Sequence, residues 1–290
     1  MELFAESVLN GILIGGILIT MAVGFSLSFG VMEIIDFAVG EWLMLASFLT
    51  YSMTNFLKIE PLLLVPLIAI VFFFAGFFIQ PLIGRAVHGK QSLAVLMGLV
   101  FTFGISLILR GSALSIWGFN VRSVSSMISG THIPLGSFII SSTRLVAFSF
   151  GIFSTLALLA FIRFTKTGMA IRATAQNEVI AETLGVNVPK IRSLVYAIYA
   201  AMTGMAGVFI GILFSISAEM GVLYTIFIFF VVVLAGLGYI QGVIYAAVFL
   251  GVLQSLITIY IGAQYVLLLV FATLYIVLLI APKGLLGKGL

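Results

Sequence analysis

The sequence has no cysteine and very few charged residues. Its 290 residues include 13 Lys or Arg, 9 Asp or Glu and 2 His, and charged residues make up only 8% of the chain. A soluble domain carries roughly 25% charged residues, so a soluble domain of ordinary composition is excluded. Without cysteine there is no disulfide, no thiol chemistry and no cysteine metal site. The two histidines lie far apart in the sequence, which argues against a histidine metal site.

The sequence also lacks the common motifs of nucleotide binding and catalysis. It contains no G-x-x-x-x-G-K-[ST] loop, so the chain does not bind and hydrolyse ATP in the P-loop manner. No H-E-x-x-H motif, Ser-His-Asp set or glycine-rich dinucleotide fingerprint occurs either. We therefore expect no catalytic site, metal or cofactor on this chain, and a membrane-embedded enzyme is the least supported function class.

Long apolar runs are what the sequence has instead, because 63% of its residues are hydrophobic. A helix that crosses a bilayer needs about 20 predominantly apolar residues. Eight runs meet this requirement: 7–29, 37–57, 61–83, 92–109, 142–162, 193–214, 240–261 and 264–281. A ninth run, 222–238, is interrupted by glycine and either crosses or re-enters. The sequence predicts one all-α integral membrane domain over 1–290, a bundle of eight or nine transmembrane helices with one or two broken or re-entrant segments.

The segment 163–192 is the main polar interruption, and it is basic. It contains five Lys or Arg residues, which lipid cannot hydrate, so we expect it to lie in water. Apolar residues recur within it at helical spacing, and the helix is predicted to end at Gly185, with Pro189 beyond. Two interpretations remain open at this point. The helix lies on lipid headgroups, or it binds another protein.

The distribution of Lys and Arg predicts the orientation. With nine crossings and the 163–192 loop inside, Arg85, Lys90, Lys283 and Lys288 also lie inside. Nine of the 13 basic residues are then on the inner side, which is a clear positive-inside bias. The segment 110–141 is predicted to be a long connection on the other side.

Three carboxylates lie at the start of the second apolar run. Asp36 is predicted to cap a helix that begins at Phe37, and Glu33 is predicted to lie at the interface. Glu41 falls more than a turn inside that helix, and an ionisable residue in a membrane span usually faces the interior and has a partner. Glu41 therefore either accepts bonds from a neighbouring helix N-terminus or contacts a substrate directly.

Two parts of the chain have the same order of sequence features. Residues 24–47 and 207–236 each contain a span rich in small residues, an FSLS- or FSIS-like run, an acidic residue and a fresh apolar segment. This match predicts two repeated halves with broken helices, although it is short and chance also explains it. Polar residues near these breaks either serve bundle packing or line a path. The predicted path residues are Asn10, Ser26, Ser28, Glu41 and Glu219.

Three runs, in order along most of the chain, resemble one family. The family run I-N-F-A-H-G-E-hydrophobic is similar to IIDFAVGEWLML (34–45), and its cytoplasmic loop is similar to GMAIRATAQNEVIAETLGVNVPKIR (168–192). Its C-terminal runs are similar to FFVVVLAGLGYIQGVIYAAVFLG (229–251) and APKGLLG (281–287). The family is the ABC-type branched-chain amino acid permeases, and the resemblance is to the first, H-type, permease subunit. Asp36 and Val39 depart from its Asn and His, which bears on substrate identity.

The resemblance implies a set of partners and a role for the loop. A second permease subunit, two ATP-binding cassette ATPase subunits that carry ATP and Mg²⁺, and an extracytoplasmic solute-binding protein are expected at a prokaryotic inner membrane. The loop 163–192 would contain the helix that couples to an ATPase. Its coupling residues are Arg172, Ala173, Ala175, Glu178, Glu182, Leu184 and Gly185. Alternatives are a urea or amide permease of the same scaffold, or a stand-alone ion-coupled carrier that uses Glu41 and Glu219.

Overall fold

The computed structural model describes residues 2–86, 91–135, 138–281 and 284. Within these ranges the chain forms eleven α-helices and one β-hairpin. The helices are α1 (Glu2–Met32), α2 (Val39–Leu57), α3 (Leu64–Ala86), α4 (Gln91–Trp117), α5 (Ser142–Phe164), α6 (Lys166–Gln176), α7 (Glu178–Thr183), α8 (Val188–Leu213), α9 (Met220–Ala235), α10 (Ile240–Tyr260) and α11 (Val266–Ile280). The hairpin pairs β1 (His132–Leu135) with β2 (Phe138–Ser141) in antiparallel register.

The fold is an all-α membrane bundle, as predicted. Among the described residues, seven helices are long and apolar enough to cross a membrane: α1, α3, α4, α5, α8, α10 and α11. The two other predicted runs also form helices, but they differ from the seven. The helix α2 has 19 residues, several of them polar, and α9 is strongly apolar but has only 16 residues.

The centre of the bundle consists of α1 and α8, whose apolar stretches are mostly buried by other helices. Glycines allow α1 to approach α10 closely. A Cβ atom placed on Gly11 would lie 2.5 Å from the Cα atom of Val252, and one on Gly15 would lie 2.9 Å from the Cα atom of Val248. Small residues permit this spacing between helices in lipid, so the glycines of the first span serve helix packing.

Two long helices are each followed by a break and a short helix. The segment 33–38 separates α1 from α2, and 214–219 separates α8 from α9. The first turns of α2 and α9 meet inside the bundle, where the Gly40 N–H donates to Thr225 Oγ1 at 3.1 Å. A side chain on Gly40 would overlap the α9 backbone. Two breaks are thus present at the predicted places, and the short helices that follow them are in contact.

The two ends of the bundle are distinct. We call the end that carries α6 and α7 the loop face, and the end that carries the β-hairpin the hairpin face. The helix α5 connects them and runs parallel to α1, since Arg144 contacts Asn10 and Gly151 packs on Gly16. Three of the basic residues that were predicted to lie inside are outside the described residues: Lys90, Lys283 and Lys288.

Two predicted boundaries were wrong. The helix α4 continues to Trp117, so the long connection predicted from residue 110 begins later. Within this connection, the backbone of Arg122 pairs with that of Ile216 in the second break. The helix α8 begins at Val188 rather than at 193, because the Asn187 side chain caps it by accepting from the Lys190 N–H at 3.1 Å. Pro189 lies in its first turn, where its missing N–H costs no hydrogen bond.

Candidate functional site

The first break is fixed to α8 by a buried carboxylate. Asp36 is only 3% exposed, and its Oδ2 accepts hydrogen bonds from Tyr196 Oη at 2.7 Å and Tyr199 Oη at 3.0 Å. Its Oδ1 accepts the Ala38 N–H at 2.8 Å. The predicted helix start at Phe37 is therefore wrong. Asp36 closes a turn before α2, and the helix begins at Val39.

The other side of the same break is held by α4. Thr102 Oγ1 donates to the Ile35 carbonyl oxygen at 3.1 Å and accepts the Phe37 N–H at 3.2 Å. Non-helical backbone inside a membrane protein must find its hydrogen-bond partners within the protein, and these contacts supply them. The break thus connects α1, α4 and α8.

Glu41 lies where the two short helices meet. It is 1% exposed, and a Cβ atom placed on Gly221 would lie 3.1 Å from its Oε1. The hydroxyl of Ser106, on α4, lies beside the carboxylate. Within the part of the chain that the structure describes, Oε2 has no hydrogen-bond partner. A carboxylate next to two helix N-termini is stabilised by their dipoles, and this position favours a structural role.

The five predicted path residues are not brought together. Asn10 lies at the hairpin face, where its Oδ1 accepts from Arg144 Nη1 at 2.8 Å beside a polar cavity of about 480 Å³. Glu219 is exposed, pairs with Arg110 at 2.7 Å and lines a different cavity of about 390 Å³. Ser26 and Ser28 are buried in the helix packing, like Glu41.

The two tyrosine hydroxyls that bind Asp36 in the first break were not predicted from the sequence. Tyr196 and Tyr199 are three residues apart and therefore share one face of α8. Since a buried acid in a membrane protein requires donors, two hydroxyl-bearing aromatics on one helix face were the available signal. The two tyrosines are 160 and 163 residues from Asp36 in the sequence, so their contact with it could not be predicted from the sequence.

The basic loop forms two helices rather than one. The helix predicted within 163–192 is interrupted at Asn177, whose Oδ1 accepts the Ile180 N–H at 3.0 Å and so caps α7. The predicted helix stop at Gly185 is confirmed. Gly185 adopts φ +88°, its N–H donates to the Glu182 carbonyl at 2.9 Å, and the Val186 N–H donates to the Ala181 carbonyl at 3.0 Å. This pair of bonds ends a helix in the left-handed glycine motif.

The helix α7 and the residue that ends it expose three large apolar side chains. Leu184 is 77% exposed, Val179 and Ile180 are more than half exposed, and Ala181 is buried against the rest of the chain. Arg172 and Glu182 are exposed beside them, while Ala173 and Ala175 are half-buried.

Both ends of the loop contact the long helices beside them. Glu178 of α7 forms an ion pair with Arg192 in the first turns of α8. At the other end, Thr165 caps α6 by accepting the Gly168 N–H at 2.9 Å, and Gly168 packs directly on the last carbonyls of α5. The two short helices are therefore held against the ends of α5 and α8 by their own contacts.

These features define a multi-pass membrane protein with two broken helices and a structured cationic loop, an arrangement found among transporters. The chain belongs to the family of branched-chain amino acid transport system permease components, whose profile matches residues 7–278. It is a transport protein of that family rather than an enzyme.

The relatives cover nearly the whole chain. It is 28% identical over 300 residues to the high-affinity branched-chain amino acid transport system permease protein LivH of Salmonella typhimurium, which spans 98% of this chain and 96% of the relative. It is 29% identical to LivH of Escherichia coli over 298 residues and 26% identical to BraD of Pseudomonas aeruginosa over 298 residues, with the same coverage. No solved structure gave a significant match.

Proposed function

We propose that this chain is one permease subunit of an ATP-driven importer for branched-chain or related small amino acids. A second permease subunit would complete the translocation path, two ATPase subunits would bind ATP and Mg²⁺, and a soluble binding protein would deliver the solute. The named substrate of the relatives supports this substrate class. The single domain 1–290 and the coupling loop 163–192 follow from the same proposal.

The loop face would lie in the cytoplasm of a prokaryotic cell, with the hairpin face outside. The described residues carry the charge difference that supports this orientation. Basic residues at the loop face are Arg85, Arg163, Lys166, Arg172, Lys190 and Arg192. Those at or near the hairpin face are Lys58, Arg110, Arg122 and Arg144.

The observation that carries the proposal is the exposed apolar surface of α7 on a rigid support. An apolar helix face in water is a binding surface for another protein. Leu184 and Val179 are exposed. The helix that carries them is capped at its start by Asn177 and ended by the hydrogen bonds at Gly185. An ATPase groove that covers these side chains would remove their apolar area from water.

The same attachment explains how an ATPase would act on the path. The helix α8 is 26 residues long, or roughly 39 Å at 1.5 Å per residue. It begins beside α7 and carries Tyr196 and Tyr199, which hold Asp36 of the first break. A displacement of α7 would therefore move the break through a packed helix, as in rigid-body switching.

The test is to place a charge at Leu184, the residue that directly follows α7. Leu184→Glu should reduce co-purification of the ATPase subunits by about tenfold or more, as expected for a buried anchor residue, and should abolish ATP-driven uptake. The matched control is Met127→Glu at the hairpin face, where the side chain is 86% exposed and co-purification of the ATPase subunits should stay unchanged. Full binding of ATPase by the Leu184→Glu protein, or equal loss in the control, would contradict the proposal.

A further inference from the structure

A cavity of about 390 Å³ opens at the second break, between α1, α8, α9 and α10. Small-molecule sites span roughly 300–1,000 Å³ and are mostly apolar with a few polar groups. The apolar part of this wall comes from three helices. It includes Ile17, Leu18, Ile210, Leu223 and Phe227.

The polar part of the wall lies at the break itself. Ser215, Ser217 and Glu219 line the cavity from 214–219, and Gln254 reaches it from α10. Within the described part of the chain, the side chains of the two serines and of Gln254 make no hydrogen bond to protein. These groups are therefore available to a bound molecule.

Tyr224 is the more specific sign of a ligand. It lines the cavity, is only 9% exposed, and its ring packs edge-on against Phe227 with centroids 6.2 Å apart. Among the residues that the structure describes, the Tyr224 hydroxyl makes no hydrogen bond, and it is not one of the fully buried unpartnered atoms. The hydroxyl is therefore accessible from the cavity and can donate to or accept from a bound molecule.

Two opposite charges lie together at the edge of the cavity, since Glu219 lines it and Arg110 is bound to Glu219. Glu219 is exposed there and is held by Arg110 at 2.7 Å. An exposed ion pair contributes little stability, so its two groups exchange partners readily. An α-ammonium group suits the Glu219 carboxylate, and an α-carboxylate suits the Arg110 guanidinium.

We propose that this cavity is a binding site for a free aliphatic amino acid on its way through the membrane. Its side chain would lie against Leu18, Leu223 and Phe227, its ammonium at Glu219, and Tyr224 would hydrogen-bond its polar end. The site rests on the proposed function, because it assigns that function's substrate class to one place in this chain.

The experiment uses the complete transporter in proteoliposomes and a leucine analogue with a diazirine in its side chain. On irradiation, the analogue should label peptides that contain Leu223 or Phe227, and excess leucine should suppress the label. Leu223→Trp fills the cavity and should remove the label together with leucine uptake. Val222→Trp is the matched control, since Val222 is the exposed neighbour that does not line the cavity.

Tyr224→Phe removes only the hydroxyl, and it should raise the leucine concentration that half-suppresses labelling by roughly threefold to tenfold, the effect of one hydrogen bond. ATP-driven leucine uptake without leucine-suppressed label in the cavity would overturn the site. So would a label that an aliphatic fatty acid suppresses and leucine does not, because the cavity would then hold lipid. Absence of uptake of any amino acid would instead count against the proposed function, and suppressible labelling would still support the site.

Discussion

Asp36 connects two distant parts of the chain through one carboxylate. Its Oδ2 accepts both tyrosine hydroxyls of α8, and its Oδ1 accepts a backbone N–H of the break. The resemblance noted in the sequence places an asparagine here. An amide has one acceptor oxygen where the carboxylate has two, so a carboxylate suits this set of three donors better.

Removal of that carboxylate should destabilise the protein. Asp36→Ala leaves Tyr196 and Tyr199 with buried hydroxyls, each costing about 1–3 kcal/mol when unpartnered. We expect a lower thermal unfolding temperature in detergent and partial recovery when both tyrosines are also changed to Phe. An Asp36→Ala protein as stable as the unmodified chain would show that the contact contributes nothing.

Glu41 gives a second residue-scale prediction. Because its carboxyl group lies between the N-termini of α2 and α9, Glu41→Ala should lower the yield of folded transporter and the uptake in parallel, by several-fold, from loss of an acceptor at two helix N-termini. Glu41→Gln, which keeps the shape, should be milder. The comparison is uptake per folded complex in liposomes. A normal yield with lost uptake would make Glu41 part of the path.

At the scale of elements, the meeting of α2 and α9 is the most demanding contact. Gly40→Ala puts a methyl group into the backbone of α9 at Gly221, and overpacking of this kind costs about 1–3 kcal/mol or more. We expect a strong loss of folded protein by fluorescence-detected size exclusion. Gly104→Ala is the control, because no atom lies within 4 Å of the added methyl group; equal behaviour of the two variants would refute the contact.

The helices were predictable because apolar length alone marks a membrane span. The breaks were predictable only where an acid or a serine run interrupted that length, as at Asp36 and Glu219. The contacts between side chains across the bundle were not predictable, because lipid-facing and core-facing residues are equally apolar. The division at Asn177 was missed because its side chain caps α7 in a stretch with otherwise continuous helical spacing.

On the scale of the whole molecule, the orientation can be measured directly. The chain has no cysteine, so single cysteines at Met127 and Leu184 can be introduced without background. Since the loop face carries the excess of Lys and Arg, a membrane-impermeant maleimide on intact cells should label position 127 and not 184. Permeabilised cells, where both positions should react, are the control, and the reverse labelling pattern would invert the topology.

In the proposed function, α7 is the surface on which an ATPase docks. A photo-crosslinking amino acid at Ile180, which is more than half exposed on α7, tests it in the assembled transporter. We expect a crosslinked product that contains this chain and an ATPase subunit, and we expect this product to be absent when the same amino acid replaces Met127. A crosslink from position 180 to lipid alone, with the complex intact, would contradict it.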